Sequence, residues 1–179
     1  MADPGKTSKQ RRAKGQGHRE GRGQADAEAV RKAIGQAARR VGLAEFGDQA
    51  LLIGGDAWPE ILAESIRSLL SQRDLRRLPV SAFVVPHGGS RKNLSRELLE
   101  LLECDKYLIS SDGARFRHPD REAIARIIAY GRPEPNAPLK LVFNYRTEWT
   151  AVWADPALQQ RYAYEAIYPQ QGAGIKMRI

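Results

Sequence analysis

From Leu43 onward, short apolar runs with strand character alternate with longer stretches of helical spacing, and this alternation restricts the chain to layered α/β architectures. "LAEF" and "ALLIGG" read as two strands around the tight turn "GDQ". "PEILAESIRSLLSQRDLRRL" follows as a helix with Pro59 in its first turn and Ile61, Leu62, Ile66, Leu69 and Leu70 as its buried stripe. "VSAFVV", "KYLIS" and "LKLVFNY" are further strands. Between them lie the helix "SRELLELLEC", with Ser95 as N-cap, and the helix "HPDREAIARIIAYG", closed by Gly131. A short helix "PALQQRY" and two closing strands, "EAIYP" and "GIKMRI", complete the expected order β-β-α-β-α-β-α-β-α-β-β.

Charge divides the chain in two. Residues 1–41 hold 11 Lys/Arg against 4 Asp/Glu, which leaves 18 against 17 for residues 42–179. The net charge of +8 therefore belongs almost wholly to the N-terminal segment. Residues 1–24 lack large apolar side chains, and the expectation is a disordered basic tail able to contact nucleic acid by counterion release. Residues 25–41, "ADAEAVRKAIGQAARRV", place Ala29, Val30, Ala33, Ile34, Ala37 and Val41 near one face of a weakly apolar helix. No stretch approaches the roughly 20 apolar residues of a membrane span, and no apolar signal segment opens the chain, so the expectation is a soluble, cytoplasmic protein. The single cysteine, Cys104, excludes an internal disulfide and a thiolate zinc cluster. Its place late in "SRELLELLEC" suits packing rather than nucleophilic chemistry.

The polar residues that could do chemistry follow the strands. Asp56 comes after "ALLIGG", and His87 and Ser90 after "VSAFVV". Ser111, Asp112 and His118 come after "KYLIS", and Asn144, Tyr145 and Arg146 after "LKLVF". Ligands of open parallel sheets bind beyond the carboxyl ends of the strands, so these residues are expected along one sheet edge. Local alternatives stay open: Asp56 or His118 as a helix cap, and "HGGS" as a plain turn or as an anion-binding backbone nest.

"ALLIGGDAWPEIL", "FVVPHGGSRKNLSRELLELLECDKYLISSDG" and "RHPDREAI" together resemble the C-terminal half of metallo-β-lactamase-fold hydrolases. The nearest pattern is the branch that includes the hydrolase domains of competence-type DNA uptake proteins, where strings like "LLTGD", "PHHGS" and "GHP" occur in this order. The resemblance covers residues 43–179 and implies an α/β fold, half of a four-layer αββα sandwich. It implies metal-dependent hydrolysis of phosphodiester or other ester bonds. One or two zinc ions would be held in part by Asp56 and His87, Asp56 and His118 would be catalytic, and Ser90, Asp112 and Arg146 would contact substrate.

Two departures qualify what that resemblance implies. Gly88 stands where the family has a second histidine, and the His-x-His-x-Asp-His motif of the family's N-terminal half is missing; the chain has three histidines, one of them His18. A catalytic zinc needs three protein ligands, whereas Asp56 and His87 supply two. The expectation is therefore a truncated half-domain, inactive alone, that holds zinc weakly or not at all. Its bare sheet face would call for a homodimer or a partner. The alternative is a non-catalytic module that binds nucleic acid or an acidic partner through the basic tail.

Overall fold

The computed structural model describes residues 41–134, 137–172 and 174–177. The expectations for residues 1–24 and, Val41 aside, for residues 25–41 lie outside the described residues. All described elements belong to the compact unit Ala38–Ile179.

Strands β1 (Gly42–Phe46) and β2 (Gln49–Ile53) form the expected hairpin, turning at Gly47 in a left-handed conformation. Helix α1 (Pro59–Arg73) follows, with Pro59 at its start, where a missing N–H costs nothing. Its buried stripe is Pro59, Leu62, Ala63, Ile66 and Leu70. Leu69 is only partly buried, and Ile61 is 61% exposed, because the stripe is narrower than a count of apolar residues suggests. Strand β3 (Leu78–Pro79) precedes β4 (Ala82–Val84), and a 3₁₀ turn, Pro86–Gly88, ends that run.

Helix α2 (Arg96–Glu100) is capped by Ser95, whose Oγ accepts from the Leu98 N–H at 3.1 Å. It stops earlier than its sequence pattern suggests, because Leu102–Glu103 turns into strand β5 and pairs with β3 in a small separate sheet. Cys104 consequently lies beyond the helix, though it is buried as expected. Strand β6 (Lys106–Ile109), helix α3 (Arg121–Tyr130) and strand β7 (Leu139–Phe143) continue the alternation. Short helices α4 (Glu148–Ala151) and α5 (Pro156–Tyr162) then lead to β8 (Tyr164–Ile167). The expected last strand, "GIKMRI", is not formed over its described residues 174–177.

The main sheet runs β1-β2-β4-β6-β7-β8, with β1 antiparallel and the other five strands parallel. Those five are laid down in chain order, always on the same side of the previous strand. Right-handed crossovers taken in one direction put their helices on one face. The core agrees: Leu62, Ile66 and Leu70 of α1, Leu98 and Leu99 of α2, and Ile124 and Ile127 of α3 are buried with Leu52, Phe83, Tyr107 and Leu141. Those last four stand side by side in neighbouring strands. On the opposite face the register lines up Ile53, Val84, Leu108, Val142 and Ile167. Ile53 and Val142 are buried and the other three half-buried, so this row is less bare than a half-sandwich leads one to expect.

Tyr107 fixes α3 to the sheet. Its hydroxyl donates to the Gly131 carbonyl at 2.7 Å, and a methyl group on Gly131 would sit 2.6 Å from that oxygen. Glycine at the helix end is therefore demanded by the tyrosine beneath it and not by a left-handed cap, since Gly131 has a φ of −86°.

Candidate functional site

All parallel strands end at the same edge, and there the loops after β2, β4 and β6 are knitted together. Gly54 lies against Pro86, where an added Cβ would meet the proline ring at 2.7 Å, and the His87 N–H donates to the Gly55 carbonyl at 2.8 Å. On the other side, a Cβ on Gly88 would meet Ser111 Cβ at 2.9 Å, and one on Gly89 would meet Pro119 Cβ at 2.7 Å. The Asp120 N–H donates to the Gly89 carbonyl at 2.9 Å.

His87, Gly88 and Gly89 all have positive φ, at 48°, 61° and 90°. The glycines are thus required twice, by the backbone conformation and by the contact with the next loop. A histidine in the left-handed region pays about 1–2 kcal/mol, and such outliers concentrate at functional sites.

These contacts gather Asp56, Trp58, His87, Ser90, Arg91, Lys92, Asn93, Phe116, His118 and Asp120 around an open cleft of about 470 Å³. The rings of His87 and His118 stand 5.5 Å apart, edge to face. Phe116 lies 5.5 Å from the first and 5.8 Å from the second. Asn93 ties the floor together, its side-chain amide donating to the Ala57 carbonyl at 2.8 Å.

Four of the sequence-predicted site residues, Asp56, His87, Ser90 and His118, line this one cleft. Asp112 and Arg146 do not. Asp112 closes an Asx turn through the Ala114 N–H at 2.9 Å and borders a separate hollow with Arg117 and Trp149. Arg146 stacks its guanidinium 4.9 Å over the Tyr168 ring. Arg146 belongs to the loop after β7, outside the β2–β4–β6 junction, and Asp112, though in the same loop as His118, lies in the part of it that borders Thr147–Trp149.

The local alternatives are also decided. Trp58, not Asp56, occupies the N-cap position of α1, and Asp120, not His118, occupies that of α3. Neither Asp56 nor His118 is a helix cap. The anion-nest reading of "HGGS" loses two of its four N–H donors, since that of Gly89 donates to the Pro86 carbonyl at 3.0 Å and that of His87 to the Gly55 carbonyl. Ser90 is buried and its Oγ accepts from the Lys92 N–H at 3.3 Å, which shapes the loop beside the cleft.

Sequence reasoning missed Trp58, Phe116 and Asp120. Trp58 and Phe116 are 60% and 53% exposed at the rim, and large aromatic side chains held in solvent are the signal that could have marked them.

Zinc of the family's kind is not accommodated by these residues. Among the described residues no group of three or more His, Cys, Asp or Glu side chains is placed to hold a metal ion. Cys104 offers nothing to the cleft: burial pushes its thiol up to about 12, and its Sγ donates to the Lys106 carbonyl at 3.3 Å.

No protein-family model, curated protein or solved structure matches the chain. Among the described residues, no helix is long and apolar enough to cross a membrane.

Proposed function

We propose that residues 42–179 are one sheet half of a metallo-β-lactamase-like hydrolase, contributing one wall of a cleft in which phosphodiester or other ester bonds are cleaved. The observation that carries this reading is the meeting of Asp56, His87 and His118, from the ends of three separate strands, at one cleft. They occur in the chain order that the resemblance implies. The one-directional winding supports the same reading: helices α1, α2 and α3 pack on one face, and a row of which Val84, Leu108 and Ile167 are only half-buried lies on the other.

In this account the chain's own residues bind and orient. Arg91 and Lys92 bring positive charge to a cleft that would receive an anionic ester, and His87 and His118 bring two imidazole rings to the same cleft. Metal ligands must come from a complementing half that carries a His-x-His-x-Asp-His segment, from a partner or from another gene product. The test is to mix the purified chain with a fragment bearing that segment and follow hydrolysis of a chromogenic phosphodiester. Turnover that appears only in the mixture, and disappears with Asp56→Ala, supports the reading. Stable complex formation without turnover under any metal would overturn it.

A second reading rests on the charge division of the chain: the surplus over residues 1–41 makes the tail a salt-sensitive contact for nucleic acid, independent of the cleft. Removing residues 1–24 should leave the thermal midpoint unchanged and abolish binding of a labelled oligonucleotide at low salt. Equal binding by the truncated chain at every salt concentration would end this reading.

A further inference from the structure

Asp120 behaves unlike a helix-capping aspartate. It occupies the N-cap position of α3 with the backbone of a cap, φ −67° and ψ 137°, yet its side chain accepts no hydrogen bond from the helix. An aspartate that caps is worth about 0.5–2 kcal/mol, so a carboxylate drawn away from that role is held by something else. Here Oδ2 accepts from the Arg91 N–H at 2.8 Å, in the loop that follows the glycine turn, and Oδ1 faces His118 Nδ1 at 3.5 Å. The Asp120 N–H meanwhile holds the Gly89 carbonyl.

The other side of this contact is equally specific. His118 is only 13% exposed, and its Nδ1 is buried with no hydrogen-bond partner. A buried polar atom left unpaired costs about 1–3 kcal/mol, and the carboxylate oxygen of Asp120 is the acceptor beside it. A neutral imidazole carries its proton on one nitrogen only. With a carboxylate oxygen facing Nδ1, the proton belongs there, since the other tautomer would set a lone pair against an anion. Nε2 is then left as a lone-pair donor on the ring that lines the cleft. Hydrogen bonds of this kind run long in empty sites and shorten when a ligand is bound.

We infer that Asp120 is the positioning residue of the cleft: it fixes His118 in the Nδ1–H tautomer, with Nε2 presented as a base or ligand, and locks the glycine turn and the Arg91 loop to the same carboxylate. The inference does not depend on the hydrolase reading, since it concerns the resting geometry of this chain. It also explains why an aspartate directly follows His118 and Pro119 yet leaves its own helix uncapped.

The test is two-dimensional ¹⁵N imidazole spectroscopy on the full chain at about pH 8.5, above the ordinary imidazole range. His118 in the unmodified chain should show the Nδ1–H form, with a slowly exchanging downfield N–H proton that correlates with the Asp120 β protons. In Asp120→Asn the single amide oxygen is claimed by the Arg91 N–H, which turns the amide NH₂ toward Nδ1 and should invert His118 to the Nε2–H form. A role confined to packing would change stability and leave the tautomer as it was. The Nε2–H form in the unmodified chain would overturn the inference, and so would an unchanged tautomer in a folded Asp120→Asn variant. If that variant does not fold, the spectrum of the unmodified chain decides on its own, through the presence or absence of the Asp120-correlated N–H proton.

Discussion

Gly89 and Pro119 touch so closely that a methyl group on the glycine would lie 2.7 Å from the proline Cβ. This contact presses the loop after β4 onto the loop before α3 and sets the spacing between His87 and His118. Alanine at position 89 would also have to adopt a φ of 90°. Backbone strain of about 1–2 kcal/mol and an overpacked contact of about 1–3 kcal/mol add in the same direction. Gly89→Ala should therefore lower unfolding free energy by about 2–5 kcal/mol in urea titration. A change within about 0.5 kcal/mol would mean that the loops are not pressed together.

His87 holds a left-handed backbone that glycine adopts freely. Comparing His87→Gly with His87→Ala separates that cost from loss of the ring, since both variants lose it. The glycine variant should be the more stable by about 1 kcal/mol, against the general preference for alanine. The opposite order in chemical denaturation would show that the residue does not occupy this conformation in solution.

Burial pushes the Cys104 thiol up to about 12, so in the folded chain it stays protonated where the unfolded chain has begun to lose its proton. The unfolded state then binds fewer protons than the native state, and stability falls as pH rises. This contribution is fully present below about pH 8.5 and is lost progressively as pH climbs towards the raised value. Cys104→Ala should flatten the alkaline side of the stability profile. An aromatic disulfide reagent at about pH 8 should label the native chain only at the rate at which it opens. Rapid, stoichiometric labelling of folded protein would contradict the burial.

Much of the scaffold is legible in the amino-acid sequence, because apolar runs that alternate with helical stripes leave few ways to bury both. The strand-end positions of Asp56, His87 and His118 follow from the same pattern. The β3–β5 pair is not legible, since two residues per strand carry no periodicity. Ile61 fits the spacing of the apolar stripe, yet it faces solvent at the edge of α1. Asp112 and Arg146 follow strands just as His87 does, yet Arg146 stacks on Tyr168 and Asp112 closes a local turn in the loop that carries His118 to the cleft. Asp120 shows the limit most clearly: in sequence it is one polar residue near the start of a helical stretch, and its bond to Arg91, 29 residues away, exists only in the folded chain.

The central claim is that this chain holds part of a hydrolytic site and not the whole. Elemental analysis of the purified full-length chain after gel filtration in zinc-containing buffer, paired with a phosphodiesterase assay on the same fractions, tests it most directly. The account predicts zinc well below one ion per chain and no hydrolysis sensitive to Asp56→Ala, because Asp56 and His87 are fewer than the three protein ligands that a catalytic zinc requires. One zinc per chain, together with turnover that Asp56→Ala abolishes, would contradict it.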